Sequence, residues 1–494
     1  MTKTIFLSGF LLICIAVQAQ WTQIGSDIDG EVAGDQFGWH VCLSDDGLIM
    51  ASSAPYNDDG GATAGHVRLF QNLNGNWTQL GQSIIGAAPG DGFGRGLSMS
   101  ADGSIVAIGA PFHNNWDGHV RVYQNIGGTW TQMGQDIDGQ NAGGFFGRSV
   151  SLSDDGTILA VGAIYNTVNG SNAGEVRIFQ NIAGTWTQIG SNLNGDAEDD
   201  FFGYSVSLSS DGSIAAVSAP INDSNGSINI GYVRIFQNMG GAWTQLGSDI
   251  DADNVGDQFG SSIHINTDGT ILAIGAPAID GGNGDYSGEL RVYEYGNANW
   301  NQVGQAIPGE AAWDFFGGAV RLSADGSIVV AGASASDDNG VNSGHVRAFI
   351  NTNGTWVQLG HDIVGEAAED RFGASVGLSA DGSVLAAGAI TNAGNGALAG
   401  HVRVFGGVVT DTEDYSTVDL KVSLFPNPTV GLISVKPADF DIKNIDVLDS
   451  SGRLIESLVP SNNMINIKPY AKGIYYFKIM DEDMNWTVFK VLKQ

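Results

Sequence analysis

A tryptophan-anchored motif that recurs seven times is the feature that most constrains how this chain can fold. Successive copies are 53 to 57 residues apart, and a Phe-Gly pair and a Gly-x-Val/Leu-Arg segment recur in step with the tryptophan. The tryptophans are Trp21, Trp77, Trp130, Trp186, Trp243, Trp300 and Trp356, and the Phe-Gly pairs begin at Phe37, Phe93, Phe146, Phe202, Phe259, Phe316 and Phe372. Repeated units of this kind bury their apolar faces by packing on their neighbours, so the sequence predicts a repetitive array.

Each repeat contains the signals of four antiparallel strands, as the third copy illustrates. Gly147 to Ser153 alternates apolar and polar residues, and Asp155-Gly156 then supplies a hairpin turn. The apolar run from Ile158 to Ala163 is typical of a strand covered on both faces. Glu175 to Phe179 and Trp186 to Ile189 complete the unit. Four such strands make one propeller blade, so we predict an all-β, seven-bladed β-propeller over residues 20–407.

The order of the motifs predicts how the array ends. The chain has a tryptophan strand before its first Phe-Gly strand, and no tryptophan strand follows Val402 to Phe405. We therefore expect Trp21 to Ile24 to supply the outer strand of the last blade. This pairing would close the ring and hide two free sheet edges.

The repeats resemble the FG-GAP repeat of integrin α-subunit propellers and their bacterial relatives. The Phe-Gly pairs match its first half, and Gly109-Ala110-Pro111 and Gly275-Ala276-Pro277 match its second half in full. The resemblance covers residues 20–407 and implies the propeller fold. It also implies a calcium loop between the first two strands, but Ser100 to Gly103 is a tight turn with too few oxygen ligands for calcium.

The N-terminal segment is typical of a secretory signal peptide. Lys3 precedes an apolar stretch, and Val17-Gln18-Ala19 ends it with a small residue at the expected cleavage position. We assign residues 1–19 to the signal and place cleavage after Ala19. The rest of the chain has no apolar run long enough to span a bilayer.

The C-terminal segment differs in character from the repeats. After a polar linker at residues 408–420, residues 421–494 contain short strand signals that suggest a small β-sandwich. Pro426-Asn427-Pro428 and Gly473-Ile474-Tyr475 resemble motifs of the type A sorting domain of the type IX secretion system. The resemblance implies Sec export, passage across the outer membrane and the type IX machinery as a partner, with the protein secreted or at the outer cell surface.

The charge distribution limits the partners of the repeats. Residues 20–420 hold 11 arginines, no lysine and 45 Asp plus Glu, whereas residues 421–494 are near neutral. An acidic surface disfavours nucleic acid and anionic membranes as partners. It is compatible with cations, neutral glycans or basic proteins.

Seven of these arginines belong to the repeated Gly-x-Val/Leu-Arg segment. Because they recur in every copy, we expect them to pair with acidic groups or carbonyls between blades rather than to bind a ligand. They are Arg68, Arg121, Arg177, Arg234, Arg291, Arg347 and Arg403.

The loops that join the repeats contain spaced carboxylates that could hold calcium. The candidates are Asp27, Asp29, Asp136, Asp138, Asp249 and Asp251. The alternative is that these residues shape turns and keep an exported surface soluble. Four histidines precede Val-Arg, but other repeats have Glu or Tyr there, which argues against metal ligation. No other cofactor is indicated.

No catalytic motif stands out in the sequence, and we expect the repeats to bind rather than to catalyse. Loops at one end of a rigid scaffold usually carry recognition, and Tyr56, Trp116 and Tyr286 are candidate contacts for a ligand there. The leading hypothesis is an exported, non-catalytic binding or adhesion module for a glycan or protein. The alternative is a secreted propeller enzyme that acts on polysaccharide.

Overall fold

The computed structural model describes residues 21–221, 231–254, 256–280 and 282–407, together with seven short stretches of the C-terminal part. Those stretches are 422–425, 432–437, 442–448, 454–458, 464–470, 472–481 and 486–493. The expected signal peptide at 1–19 and the expected linker at 408–420 lie outside the described residues. The chain divides into two compact units, Met1–Thr410 and Asp411–Gln494. No helix among the described residues is long and apolar enough to cross a membrane.

The first unit contains seven antiparallel sheets, here numbered 1 to 7 in chain order of their inner strands, and each has four strands and a two-residue fifth strand. The inner strands are Val41–Leu43, Gly96–Met99, Phe146–Leu152, Val206–Leu208, Ser262–Ile265, Ala319–Leu322 and Phe372–Leu378. The second strands are Ile49–Ala54, Ile105–Ala110, Ile158–Ala163, Ile214–Ala219, Ile271–Ala276, Ile328–Ala333 and Val384–Ala389.

The third and outer strands complete each sheet. The third strands are His66–Leu73, His119–Ile126, Glu175–Ile182, Tyr232–Asn238, Glu289–Gly296, His345–Thr352 and His401–Gly406. The outer strands of sheets 1 to 7 are Asn76–Gln79, Thr129–Gln132, Thr185–Gln188, Trp243–Gln245, Asn299–Gln302, Thr355–Gln358 and Thr22–Gln23. The predicted all-β class with four-stranded units is confirmed, an arrangement typical of a propeller.

The two-residue strands pair with the beginning of each third strand. In sheet order they are Ile84–Ile85, Ile137–Asp138, Leu193–Asn194, Ile250–Asp251, Ile307–Pro308, Ile363–Val364 and Ile28–Asp29. One helical turn, His113–Trp116, interrupts the loop between the second and third strands of sheet 2. Its Asn114 and Asn115 have left-handed backbone angles, with φ of 50° and 58°.

The repeated tryptophans connect neighbouring sheets. Each indole Nε1 donates to a carbonyl that follows the outer strand of the preceding sheet; Trp130, for example, donates to Leu80 at 2.8 Å. Trp21 donates to Leu359, and Trp77 donates to Ile24, both at 3.0 Å. Trp21 therefore links sheet 7 to the preceding sheet through the same hydrogen bond that the other tryptophans make for their own sheets.

The Phe-Gly and Gly-Ala motifs are explained by close backbone approach between sheets. A Cβ on Gly109 would lie 1.9 Å from the carbonyl oxygen of Gly147 in the next sheet. A Cβ on Gly388, in the last sheet, would lie 2.1 Å from the carbonyl oxygen of Gly38, in the first. No side chain fits at either position, so glycine is required where the sheets meet.

The turns after the inner strands hydrogen-bond to one another through their backbones. Asp45 N–H donates to Ala101, Ala101 to Asp154 and Asp154 to Ser210, at 2.8 to 3.0 Å. In the same way, Ser210 N–H donates to the carbonyl of Thr267, Thr267 to that of Ala324 and Ala324 to that of Ala380. Ala380 N–H then donates to the carbonyl of Asp45 at 3.0 Å. These seven bonds return to the turn at which they begin.

The N-terminal strand pairs with the last repeat, as the motif order predicts. Thr22 pairs with Gly406 and Gln23 with Phe405 in an antiparallel register. Ile24 N–H also donates to Val404 at 2.7 Å. Sheet 7 is thus assembled from both ends of the repeat region.

The second unit has two antiparallel sheets. The three-stranded sheet is ordered Val422–Phe425, Leu432–Pro437, Met464–Asn466. The four-stranded sheet is ordered Leu454–Leu458, Ile442–Leu448, Gly473–Asp481, Trp486–Lys493. Ile433 of the first sheet and Phe477 of the second belong to one buried core.

Candidate functional site

The strand order places the Phe-Gly segments, the loops between second and third strands and the two-residue strands at one end of the first unit. We call this end the FG face. The Phe-Gly pairs lie there, at or just before the start of each inner strand, and second strands end there because the sheets are antiparallel. The second-to-third loops and the two-residue strands therefore lie at the same end. The Asp-Gly turns and their backbone hydrogen bonds lie at the opposite end.

A cavity of about 390 Å³ is lined by the inner strands of all seven sheets. We call this cavity the channel. Its size is in the range of small-molecule sites. Side chains of the wall accept hydrogen bonds from the next strand: Ser98 and Ser151 accept from Leu152 N–H and Leu208 N–H at 2.9 and 3.0 Å. Cys42, the thiol in the wall, contacts the carbonyl of Leu97 at 3.6 Å.

The residue that follows each Phe-Gly pair differs from sheet to sheet, although the surrounding motif is repeated. Sheets 1 to 4 have large aromatic or cationic residues, and sheets 5 to 7 have small ones. In sheet order these residues are Trp39, Arg95, Arg148, Tyr204, Ser261, Gly318 and Ala374. The FG end of the channel is therefore lopsided, with a cationic and aromatic side facing an open side.

Arg95 is held among three aromatic rings on that side. Its guanidinium carbon lies 4.4 Å from the ring centre of Trp39, 4.9 Å from Tyr56 and 5.0 Å from Phe112. Its Nη2 donates to the Tyr56 hydroxyl. Burial, and further the charge of Arg148, lower the pKa of Arg95. The stacking fixes the orientation of the cation without neutralising it.

Two further arginines line the channel, Arg148 in sheet 3 and Arg321 in sheet 6. Arg148 lies 5.2 Å from the ring centre of Tyr204. Burial, then the charges of Arg148, Arg321 and Arg95, lower the pKa of His40 to about 3. The charges of all three arginines therefore favour the neutral form of the His40 imidazole. None of the three arginines forms an ion pair with a carboxylate among the described residues.

The turn end of the channel has the opposite charge. Asp45 and Asp154 line it, and Asp154 accepts a hydrogen bond from the Ser210 hydroxyl. Partial burial, then the charges of Asp154 and Asp46, raise the pKa of Asp45 to about 6. The channel is therefore polarised, with cations towards the FG face and carboxylates at the turns.

Six of the seven repeated arginines contact a carboxylate or carbonyl of the preceding sheet or of the loop that follows it, as the sequence predicts, whereas Arg121 pairs with Asp136 beside its own sheet. Arg234 contacts both oxygens of Asp249 at 2.7 and 2.8 Å and Asp196 at 2.5 Å. Arg177 donates to the carbonyl of Asp138 at 3.0 Å. The other five, Arg68, Arg121, Arg291, Arg347 and Arg403, likewise contact carboxylates or carbonyls. Six of the seven therefore join neighbouring sheets, and each of the seven has a carboxylate or carbonyl partner.

The calcium candidates are placed at three separate sheet junctions. Both oxygens of Asp136 accept from Arg121, at 2.7 and 3.0 Å, and both oxygens of Asp249 accept from Arg234. An ion that used these carboxylates would have to displace a guanidinium group. Asp138 and Asp251 are exposed neighbours of these residues.

The remaining two candidates, Asp27 and Asp29, lie at the junction of sheets 7 and 1. Asp27 faces His401 and Arg403, each at 3.9 Å. The backbone carbonyl of Asp29 accepts from Arg68 at 2.6 Å.

The three aromatic candidates occupy different parts of the FG face. Tyr56 contacts Arg95 at the channel mouth. Trp116 is 58% exposed and lies 6.0 Å from Phe145 between ring centres. Tyr286 is 38% exposed and stacks on Trp313, which is 55% exposed, with ring centres 4.6 Å apart. Of the three, Tyr56 is the one that contacts an arginine, Arg95.

Sequence reasoning missed the channel arginines and Trp313. Of the 11 arginines in residues 20–420, four lie outside the repeated motif, and three of these are Arg95, Arg148 and Arg321. This departure from the repeat was the available signal. The acidic composition disfavoured anionic partners, but net charge does not describe a channel in which arginines and carboxylates are placed at different positions.

Two family models match parts of this chain. Residues 137–179 match the FG-GAP repeat, and residues 423–494 match the secretion system C-terminal sorting domain, here of type IX. The sorting domain supports secretion or a cell-surface location and implies contact with the type IX secretion machinery. Among curated proteins, none matches the chain.

Two solved structures are similar in part. One is a protein of Bacteroides uniformis ATCC 8492 with a provisional assignment as a 6-phosphogluconolactonase (14% identity, TM-score 0.46, 67% of this chain and 86% of that chain). The other is the periplasmic gluconolactonase of Pseudomonas aeruginosa (14% identity, TM-score 0.46, 87% of this chain and 95% of that chain). At these values neither likeness identifies an activity for this chain.

Proposed function

We propose that this chain, which carries an FG-GAP repeat and a type IX sorting domain, is an exported, non-catalytic binding module for acidic glycans. In this proposal the seven sheets are the blades of a closed propeller over residues 20–407, and residues 1–19 are a Sec signal. An anionic group of the glycan enters the FG end of the channel. The sugar rings contact the aromatic side of its mouth.

The closed ring is supported by three independent sets of contacts. The tryptophan-to-carbonyl bonds, the glycine approaches and the backbone bonds between turns each join sheet 7 to sheet 1. A ring without free edges needs no disulfide, which agrees with the single cysteine that remains after residue 19. The channel is then the axis of the propeller.

The observation that carries the binding function is the set of unpaired channel arginines. Buried or half-buried cations in proteins are ordinarily paired with an acid, and an unpaired one leaves desolvation uncompensated. Arg95, Arg148 and Arg321 all lower the pKa of His40 through their charges, and none of the three has a carboxylate partner among the described residues. A carboxylate or sulfate of a ligand would supply the missing charge through bidentate hydrogen bonds.

The aromatic surface favours a saccharide over other anions. Trp39 and Tyr204 flank the arginines at the mouth, and the exposed Tyr286–Trp313 stack lies on the same face. Flat, exposed rings beside polar groups present the apolar and polar contacts that a sugar ring requires. A uronate-containing or sulfated glycan combines this shape with the negative charge.

The experiment compares an oligogalacturonate with its methyl-esterified, uncharged form by calorimetric titration of the full chain. We expect the charged form to bind at least tenfold more tightly. We also expect Arg148→Met to remove this preference. Arg371→Met is the matched control, because Arg371 is the fourth arginine outside the repeat motif and is exposed.

Equal affinity for both sugar forms, or an unchanged preference in Arg148→Met, would contradict the proposal. Binding of a protein ligand with no glycan binding would place the function with protein adhesion instead.

A polysaccharide hydrolase is the second candidate, because two carboxylates line the turn end of the channel. The pKa of Asp45, raised to about 6, would let this carboxyl act as a general acid near neutral pH. Release of reducing ends from an acidic polysaccharide, abolished by Asp45→Asn, would favour this candidate over binding alone.

A further inference from the structure

Sheet 2 departs from the repeat at one position on the FG face. In sheets 1 and 7, an asparagine three residues after the second strand donates to the aspartate that precedes Phe-Gly. Asn57 donates to Asp35 at 3.1 Å, and Asn392 donates to Asp370 at 3.0 Å. In sheet 2 the corresponding residue is His113, whose Nδ1 lies 3.0 Å from Asp91 Oδ1. A residue with a metal-binding nitrogen thus replaces a structural amide.

A second histidine lies beside the first. His119, at the start of the third strand, has its ring centre 4.1 Å from that of His113. One ligand atom from each of Asp91, His113 and His119 lies within 4.8 Å of the other two. Ligands about 2.0 Å from a tetrahedral ion are roughly 3.3 Å apart, so small side-chain rotations would bring all three into coordination.

The His119 ring is buried without a hydrogen-bond partner. It is 0% exposed, and neither ring nitrogen is bonded in the part of the chain that the structure describes. His345, by contrast, contacts Asp338. The second-to-third loop of sheet 2 is three residues shorter than that of sheet 6, and its carboxylate, Asp117, forms no hydrogen bond with His119.

The carboxylate of Asp91 is already oriented as a metal ligand would be. Asp91 is 3% exposed, and its Oδ2 accepts from Ala88 N–H at 3.1 Å, which orients Oδ1 towards His113. The His113 side chain is 31% exposed and gives an ion access to the cluster. Such a supporting hydrogen bond is typical of metal-ligating carboxylates.

Three other clusters combine one histidine with two carboxylates, but each faces a repeated arginine. They are Glu31–Asp59–His66, Glu310–His345–Asp362 and Asp27–Glu366–His401. Arg68, Arg347 and Arg403 lie within 4.0 Å of these carboxylates and oppose a second cation. Asp91 forms no ion pair with an arginine among the described residues.

We propose that Asp91, His113 and His119 form a binding site for a divalent transition-metal ion of the Zn²⁺ class. Two imidazoles and one carboxylate suit zinc rather than calcium, which prefers oxygen ligands. Three protein ligands leave one tetrahedral position for water or for a donor atom of a bound molecule.

The test is titration of the purified, metal-free full chain with Co²⁺, read by visible absorption, followed by displacement with Zn²⁺. We expect one saturable site per chain with the absorption bands of a four- or five-coordinate ion. His113→Asn is the decisive variant, because asparagine occupies this position in sheets 1 and 7 and keeps the bond to the aspartate. It should unfold at an unchanged temperature without metal and bind Zn²⁺ at least tenfold more weakly.

His361→Asn is the control, since His361 is exposed and belongs to none of the clusters. Its affinity for Zn²⁺ should equal that of the unmodified chain. Absence of saturable binding, an unchanged affinity in His113→Asn, or a loss caused by His66→Asn would each overturn the assignment.

Discussion

Two sets of arginines in the seven-sheet unit differ in their partners. The repeated arginines, such as Arg234, each contact a carboxylate or carbonyl, and all but Arg121 join adjacent sheets. The channel arginines Arg95, Arg148 and Arg321 have aromatic or backbone neighbours, and none has a carboxylate partner among the described residues. This difference indicates that residues repeated in every sheet have a structural role. Departure from the repeat marks residues with another task.

The largest expected effect is on the paired set. Arg234→Met keeps the volume of the side chain but leaves Asp249 and Asp196 facing a half-buried, apolar group. Breaking a pair of this kind costs about 3 kcal/mol, so we expect the free energy of unfolding to fall by about that amount. Denaturant unfolding measures the change, and Arg371→Met should leave stability unaltered. A loss below about 1 kcal/mol would remove the structural role assigned to the repeated arginines.

Substitution of an unpaired channel arginine should not lower the free energy of unfolding. Arg148→Met removes a cation that lies near two others and has no ion-pair partner among the described residues. We expect the free energy of unfolding of the Arg148→Met variant to be unchanged or raised by less than about 1 kcal/mol, because like charges near one another oppose folding. The same denaturant experiment checks this prediction. A fall as large as that of Arg234→Met would show that the channel arginines also serve the scaffold.

The smallest expected effect concerns the carboxylate end of the channel. An acid with a raised pKa holds its proton more tightly in the folded state, so its stabilising contribution is present at pH 4 and declines as pH rises through 6. Asp45→Asn should therefore leave stability unchanged at pH 4 and increase it at pH 7.5. Because the side chain is exposed, the gain should stay below about 1 kcal/mol.

Thermal unfolding at the two pH values measures this difference. Asp285→Asn, which changes an exposed carboxyl outside the channel, is the control. An equal effect of Asp45→Asn at both pH values would contradict the raised pKa.

Much of the fold could be predicted because each repeated residue has one physical reason. Trp130 donates to a carbonyl of the preceding sheet, and Gly109 lies where the backbone of the next sheet is too close for a side chain. The pairing of Trp21 to Ile24 with the last repeat followed from motif order alone.

The candidate site was less accessible from sequence because it depends on contacts between different repeats. Arg95, Arg148 and Arg321 are 53 to 226 positions apart and meet only when the sheets are arranged around the channel. Tyr286 was identified as a loop aromatic, but its stacking partner Trp313 belongs to the next junction. His119 looked structural because other repeats have Glu or Tyr there. Only the structure places His113 beside it.

The most direct test of the central claim is to locate a bound anion in crystals of the full chain soaked in bromide or selenate. Anomalous scattering then distinguishes the two sets of arginines within one molecule. The account predicts an anion within about 3.5 Å of the guanidinium groups of Arg148 or Arg321, and none at the seven repeated arginines. Anions at the repeated arginines with an anion-free channel would contradict it.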